Sequence, residues 1–246
     1  MSTARRVQEH PAYLLHHRPF RDTSLLLDIF SRDFGKLTLV ARGVRGAKSR
    51  LKGLLRPFMP LRVSWVLRTD LGTLTGAELC GQPLSLTGDS LLSGYYVNEL
   101  VLHFLHRHDP QPELFEAYQH TLTNLAAAEP APVLRGFEIE LLRLLGYALN
   151  VEQDASTHQD IEQSASYEYR VERGPVKVSR ASGAMIFSGE HLIGIRDHRF
   201  HEPLVLQAAN RLLRSVISHH LDGRELKSRK VLVDVHRGRV KMSDSD

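Results

Sequence analysis

The amino-acid sequence predicts an α+β protein in which a small β-barrel precedes a mainly helical region. The first eighty residues contain short apolar runs separated by glycine-containing turns, which is typical of a small barrel rather than a parallel sheet. From about Leu84 the apolar residues recur at helical spacing instead. We therefore expect a barrel over residues 1–82 and helices in most of the chain beyond it.

Four strands are expected in the barrel region. Thr23 to Phe30 and Lys36 to Val40 are mostly apolar runs, and Gly35 between them suits a turn that needs positive φ. The clearest alternation runs from Leu61 to Arg68, which predicts one apolar face and one basic face. A turn then leads into the fourth run, Thr73 to Ala77.

The remaining chain predicts two helical stretches around a small hairpin module. Helices are expected over Tyr95 to Leu105, around Leu114 to Leu125, from the Pro-rich segment 129–132 to Gly146, and from Glu202 to Leu221. Between them lie a polar span and a short alternating segment, Tyr167 to Val171, with Gly174–Pro175 as its turn. This pattern predicts a helical domain over 83–149 and 193–238, and a hairpin module over 150–192.

The charge pattern is the strongest indication of function. Between Asp33 and Asp70 there is no acidic residue, although the whole chain has a net charge of only +4. A field of one sign on a small surface attracts a polyanion, and nucleic acid is the polyanion we expect. Because the densest part, residues 42–56, lies between strands, we expect a long exposed loop there. The candidate phosphate-binding residues are Lys36, Arg42, Arg45, Lys48, Arg50, Lys52, Arg56, Arg62 and Arg68.

Composition excludes several classes of protein. No apolar run approaches the roughly 20 residues that span a bilayer, and the N-terminus has no apolar segment typical of a signal peptide. Cys80 is the single cysteine, so neither an internal disulfide nor a thiolate metal cluster can form. We therefore expect a cytoplasmic protein without a membrane partner.

No pattern of catalytic residues is present. The segment Gly43 to Ser49 lacks the glycine spacing of a nucleotide-binding P-loop. None of the 14 histidines falls in a zinc-protease pattern, and no nucleophile elbow occurs. We expect no enzyme activity, no cofactor and no bound metal. An RNA-binding barrel protein stays open as an alternative, and a histidine-based metal hydrolase is a less favoured one.

Five segments of the sequence carry a resemblance to a known family. They are Asp22–Phe30, Leu51–Leu61, Ser93–Leu100, Phe137–Tyr147 and Leu226–Arg229. Each segment alone is short, but their order and combination across almost the whole chain resemble the RecO family of bacterial recombination mediators.

The resemblance implies an N-terminal OB fold, a helical middle domain and a small third module. It implies binding of single- and double-stranded DNA, annealing of complementary strands, and action on DNA coated by single-stranded DNA-binding protein (SSB). It also implies joint action with RecR in loading RecA, close to the bacterial nucleoid. The DNA-binding surface of the family matches the basic residues from Arg42 to Arg56 in this chain.

The resemblance also implies a site for the acidic SSB tail on the helical domain. The matching residues are Leu134, Arg135, Leu141 and Leu145. From the pattern alone, this stripe is an ordinary core-facing helix face with a charged flank. An arginine in the first helical turn beside apolar residues would nonetheless suit a peptide that ends in an aromatic residue and a carboxylate.

The chain departs from many family members in its third module. Those members carry four cysteines there and hold zinc, whereas residues 150–192 contain no cysteine and only His158 and His191 as histidines. We expect a module without zinc that is held together by its hairpin.

Overall fold

A computed structural model describes residues 5–46, 49–179, 183–232 and 234–235. The chain forms two compact units, one of residues 1–127 with 226–246 and the other of residues 128–225. We call them the barrel unit and the second unit. The first two helices after the barrel lie within residues 1–127, so their contacts place them in the barrel unit. The three-module division expected from the sequence stays a prediction.

The barrel unit begins with a closed five-stranded barrel. The strands are antiparallel neighbours except for β3 and β5, whose parallel pairing closes the barrel in the order β1-β2-β3-β5-β4. This is the OB topology. The strands are β1 (Arg5–Phe20), β2 (Ser24–Ser31), β3 (Gly35–Ala41), β4 (Leu61–Leu67) and β5 (Leu71–Leu79). The α+β class is confirmed, as are the four strands expected from the sequence.

The strand β1 was not predicted, because it lacks a simple alternation. Its register shifts twice, between Val7 and His10 and between Leu14 and His16. Each β-bulge reverses which residues face the core, so the sequence loses its period of two. Pro11 lies between the two irregularities.

Two helices cover the outer face of β1 and β2, namely α1 (Gly88–Phe104) and α2 (Pro112–Ala127). Four aromatic rings meet there with centroids 5.1–6.0 Å apart: Tyr13, Phe30, Phe115 and Tyr118. Burial raises the pKa of Tyr13 to about 12. The aromatic cluster makes the barrel and the two helices one packed body.

A buried amide fixes the register of this contact. Asn98 Nδ2 of α1 donates to the carbonyl oxygen of Leu15 at 3.0 Å. Leu15 is the extra residue of the second β1 bulge. The Tyr118 hydroxyl donates to Asn98 Oδ1 at 2.6 Å, so both ends of the buried amide are satisfied.

The start of β3 is clamped to the end of α1 and to the segment that follows it. The Lys36 ammonium donates to the carbonyl oxygen of Leu102 at 2.6 Å, and the Lys36 carbonyl accepts from the His108 N–H at 3.0 Å. Burial lowers the pKa of Lys36. Gly35 has φ +66°, and a Cβ atom there would overlap the backbone of Asp109.

The basic segment after β3, expected from the sequence to be a long exposed loop, is partly anchored in the barrel. Val44 and Leu55 are buried in the barrel core, and residues Arg50–Gly53 form a 3₁₀ turn. Apolar residues interleaved with the basic ones therefore anchor this segment to the barrel. Its described charged side chains, Arg42, Arg45, Arg50, Lys52 and Arg56, face solvent.

The second unit packs three helices with a three-stranded sheet of order β7-β6-β8. Its elements are α3 (Pro130–Leu144), β6 (Ser166–Arg170), β7 (Gly174–Val178), β8 (Ile186–Ser188), α4 (Gly189–Arg196) and α5 (Pro203–His220). The prediction that Gly174–Pro175 forms the hairpin turn was wrong. These residues open β7 and pair with Tyr169 and Arg170, and the turn lies at residues 171–173.

A buried carboxylate organises the hairpin module. Asp154 is 4% exposed and accepts backbone N–H bonds from Ser156, Thr157 and Lys177 at 2.7–3.0 Å. Burial alone would raise the pKa of Asp154, but these hydrogen bonds outweigh it and the pKa is lowered. The carboxylate therefore ties the polar span to the edge of β7.

We expect Gly35→Ala to destabilise the barrel unit by about 3 kcal/mol, because it combines a left-handed backbone with a backbone overlap. Gly43→Ala is the matched control, since Gly43 has φ +69° but open space around its Cβ position. It should cost only about 1–2 kcal/mol. Denaturant unfolding followed by the fluorescence of Trp65, the single tryptophan, measures both. Equal losses of unfolding free energy in the two variants would contradict the close approach of Gly35 to the Asp109 backbone.

We expect Asp154→Asn to loosen the hairpin module at neutral pH. Because the folded pKa of Asp154 is lowered, its stabilisation is present above the unfolded pKa of about 3.9 and is lost as pH falls through the folded value. Hydrogen exchange of the amides in residues 150–178 measures the effect. Asp160→Asn, at an exposed carboxylate, should change little. Similar exchange in both variants would refute the role of Asp154.

Candidate nucleic-acid interface

An open groove of about 810 Å³ lies at one end of the barrel. Three chain segments form it: the turn between β1 and β2, the end of β3, and the turn between β4 and β5. In an OB barrel, the loops between the first two and the last two strands border the ligand face. The lining residues are Phe20, Arg21, Thr23, Ser24, Val40, Arg42, Gly43, Val66, Arg68, Thr69, Leu71, Gly72, Thr73 and Thr75.

Three arginines and several hydroxyl groups give the groove its chemistry. Arg21, Arg42 and Arg68 are exposed, and each comes from a different one of the three segments. Serine and threonine hydroxyls lie among them. Guanidinium and hydroxyl donors suit the phosphate and sugar oxygens of a nucleic acid strand.

Apolar side chains add a second kind of contact. The Arg21 guanidinium carbon lies 5.2 Å from the centroid of the Phe20 ring, and Leu71 is 41% exposed. Aromatic and apolar faces beside cations are typical of sequence-tolerant binding to single strands, because every base has a face that can stack.

The nine predicted phosphate-binding residues do not share one location. Arg42 and Arg68 line the groove. Arg45 borders it, since its guanidinium donates to the carbonyl oxygen of Arg21 at 3.3 Å and its N–H to that of Thr23 at 2.9 Å. The side chains of Arg50, Lys52 and Arg56 are exposed on the segment that leads to β4.

Two of the predicted residues, Lys36 and Arg62, stand apart from the groove. Lys36 is half-buried and bound to Leu102, so its ammonium is already engaged at the helix contact rather than turned to solvent. Arg62 is exposed near the start of β4 and donates to the carbonyl oxygen of Glu9 at 3.2 Å. Lys48 lies outside the described residues.

Sequence reasoning missed Arg21 and Phe20. The acid-free window begins after Asp33. In the hairpin of β1 and β2 before it, Asp22 and Asp28 offset the positive charge of Arg21 in the sequence. A prediction of β1 would have revealed them, because its turn into β2 is one of the two loops that border the OB ligand face.

The residues expected to bind the SSB tail lie within the core of the second unit. Leu134 and Leu141 are buried and Leu145 is half-buried. Arg135 is 6% exposed. Its guanidinium donates to Glu138 Oε1 at 2.7 Å and to Asn210 Oδ1 of α5. Arg135 therefore joins α3 to α5 in this conformation.

The described residues contain neither a metal-binding cluster nor a membrane-spanning helix. In the described ranges, no group of three or more His, Cys, Asp or Glu side chains is arranged to hold a metal ion. Nor is any described helix both long and apolar enough to cross a membrane.

The closed barrel with OB topology and its arginine-lined groove define a nucleic-acid-binding OB-fold protein. Comparison with known proteins narrows this class. The family model described as "Recombination protein O N terminal" matches residues 5–83, and "Recombination protein O C terminal" matches residues 86–230. The chain belongs to the RecO family of DNA repair proteins.

Curated relatives are similar in sequence to this chain over nearly their full length. The chain is 39% identical to the DNA repair protein RecO of Dechloromonas aromatica, over 96% of this chain and 99% of that protein. It is 40% identical to RecO of Aromatoleum aromaticum, with the same coverage. It is 42% identical to RecO of Nitrosococcus oceani, over 94% of this chain and 95% of that protein. This similarity supports a role in recombinational repair.

We expect Arg135→Ala to destabilise the second unit by about 3–5 kcal/mol, because it leaves the buried Glu138 carboxylate without its cation. The double variant Arg135→Met with Glu138→Leu removes both charges and should recover most of that loss. Thermal unfolding followed by circular dichroism measures both variants. A double variant no more stable than Arg135→Ala would contradict the structural role of the pair.

Proposed function

We propose that this protein is a recombination mediator that anneals complementary single strands of DNA. Together with RecR, it would help RecA to load onto single-stranded DNA coated by SSB. The observation that carries this proposal is the groove at the barrel end, where Arg21, Arg42 and Arg68 converge with hydroxyl groups. The membership of the RecO family supports it.

The chemistry of annealing needs cations rather than a catalytic centre. Two DNA strands repel each other, and arginine and lysine side chains lower that barrier by neutralising phosphates and releasing counterions. Because no covalent bond is made or broken, we propose that the protein is not an enzyme. Contacts through phosphate and sugar leave base edges free to pair, so binding should be sequence-tolerant.

The proposed DNA surface extends from the groove along the basic segment. Charge is segregated between the two units, since residues 1–127 with 226–246 contain 21 basic and 14 acidic residues, and residues 128–225 contain 11 and 14. Lys36 is left out because its ammonium serves the helix contact. The proposed contacts are Arg21, Arg42, Arg45, Lys48, Arg50, Lys52, Arg56, Arg62 and Arg68.

The acidic SSB tail is proposed to bind at α3, through Leu134, Arg135, Leu141 and Leu145. Since Arg135 is paired with Glu138, the carboxylate of the tail would have to replace Glu138 as its partner. The barrel would then hold DNA while the helical region recruits the protein to coated strands. We place this activity in the cytoplasm, at the nucleoid.

Charge reversal in the groove tests the proposal. Arg42→Glu and Arg68→Glu should each weaken binding of single-stranded DNA about tenfold at low salt. Each should also reduce the slope of log affinity against log salt by about 0.7 per lost phosphate contact. The rate of annealing of two complementary oligonucleotides should fall in parallel.

Arg32→Glu is the matched control. Arg32 is exposed in the turn between β2 and β3, at the opposite end of the barrel, and pairs with Glu116. The Arg32→Glu substitution makes the same charge change as Arg42→Glu and should alter the affinity for single-stranded DNA little. Equal effects of Arg32→Glu and Arg42→Glu would refute the groove as the site. Stronger binding to structured RNA than to single-stranded DNA would favour the RNA-binding alternative.

A further inference from the structure

A second basic surface lies on α5, in the second unit. Between Glu202 and Asp222 the chain contains no acidic residue, although the second unit has more acidic than basic residues overall. The helix carries Arg211 and Arg214, and both side chains are exposed. The charge of this helix therefore opposes that of the unit around it.

The basic and hydroxyl side chains share one face of the helix. Arg211, Arg214 and Ser218 follow at intervals of three and four residues, which places them in a row about 10 Å long. Leu212 and Val216 lie on the opposite face and are buried. The apolar face anchors the helix in the core, and the basic face is presented to solvent.

This face borders an open groove of about 730 Å³. Its other wall is the segment that leads into β8, including Ala184 and Met185. Among the described residues that line it, Asp222 supplies a carboxylate where the helix ends, and His219 is hydrogen-bonded to Glu172 at 3.1 Å. The two arginines lie away from that end, at the middle of the helix.

Arg211 is held in place before any ligand binds. Its guanidinium donates to the carbonyl oxygen of Ile186 at 2.7 Å, and its Cζ lies 4.4 Å above the centroid of the Phe187 ring. Within the described part of the chain, no ion pair involves Arg211 or Arg214. A cation fixed in this way loses less side-chain entropy when it meets an anion.

We propose that this groove is a second contact site for single-stranded nucleic acid. The proposal rests on the proposed function, since it gives the second unit a contact with the same polyanion. The groove is open, as an extended strand requires, and its guanidinium and hydroxyl groups suit phosphate and sugar oxygens. A second contact on the same chain would raise avidity for long strands.

Direct crosslinking tests the proposal on the full chain. Ser218→Cys in a Cys80→Ser background carries a benzophenone label, and the probe is a fluorescent oligothymidylate. The label should crosslink to this probe. Arg214→Glu should reduce crosslinking and weaken binding of a long oligonucleotide roughly fivefold. Arg173→Glu is the matched control, because Arg173 is exposed in the turn between β6 and β7 and makes the same charge change.

Equal crosslinking in the Arg214→Glu and Arg173→Glu proteins would overturn the proposal. Absence of DNA crosslinks, combined with capture of an acidic peptide at position 218, would also overturn it and assign the groove to a peptide. Failure of the proposed function looks different, because Arg42→Glu and Arg68→Glu would then leave the affinity for single-stranded DNA unchanged.

Discussion

The docking of α1 and α2 onto the outer face of β1 and β2 is the interaction on which the barrel unit depends. It requires the β1 bulge that frees the Leu15 carbonyl for Asn98, together with the aromatic cluster around Tyr118. Because the helices cover this face of the barrel, they leave the strand ends near Arg42 and Arg68 open. The position of the groove is thus a consequence of how the helices pack.

The same docking divides one basic run into residues with different roles. Lys36 begins β3 at the barrel end where the helices are clamped, and Arg42 follows β3 at the other end. Five residues lie between them, and the six steps along the strand span about 20 Å. Two cations of the same basic run therefore serve packing and ligand binding separately. Charge clustering in a sequence therefore indicates a polyanion partner without assigning each residue to the interface.

Elements whose apolar residues recur with one clear period could be predicted from the sequence. The alternation around Trp65 and the helical spacing of α5 both follow from a single buried face. The strand β1 could not be predicted, because two bulges change which residues face inward. The buried contact of Arg135 with Asn210 was also inaccessible, since a partner 75 residues away leaves no local pattern. Arg21 was also missed, because Asp22 and Asp28 lie near it in the sequence and offset its charge. Only the fold brings Arg21 to the groove.

Hydrogen exchange with and without a short oligothymidylate tests most directly whether the barrel end holds the strand. The account predicts slower amide exchange in residues 20–24, 40–46 and 66–75, which border the groove. It predicts no change in residues 32–36 at the opposite end of the barrel. Protection confined to residues 32–36, or absent from the whole barrel while the oligonucleotide is bound, would contradict it.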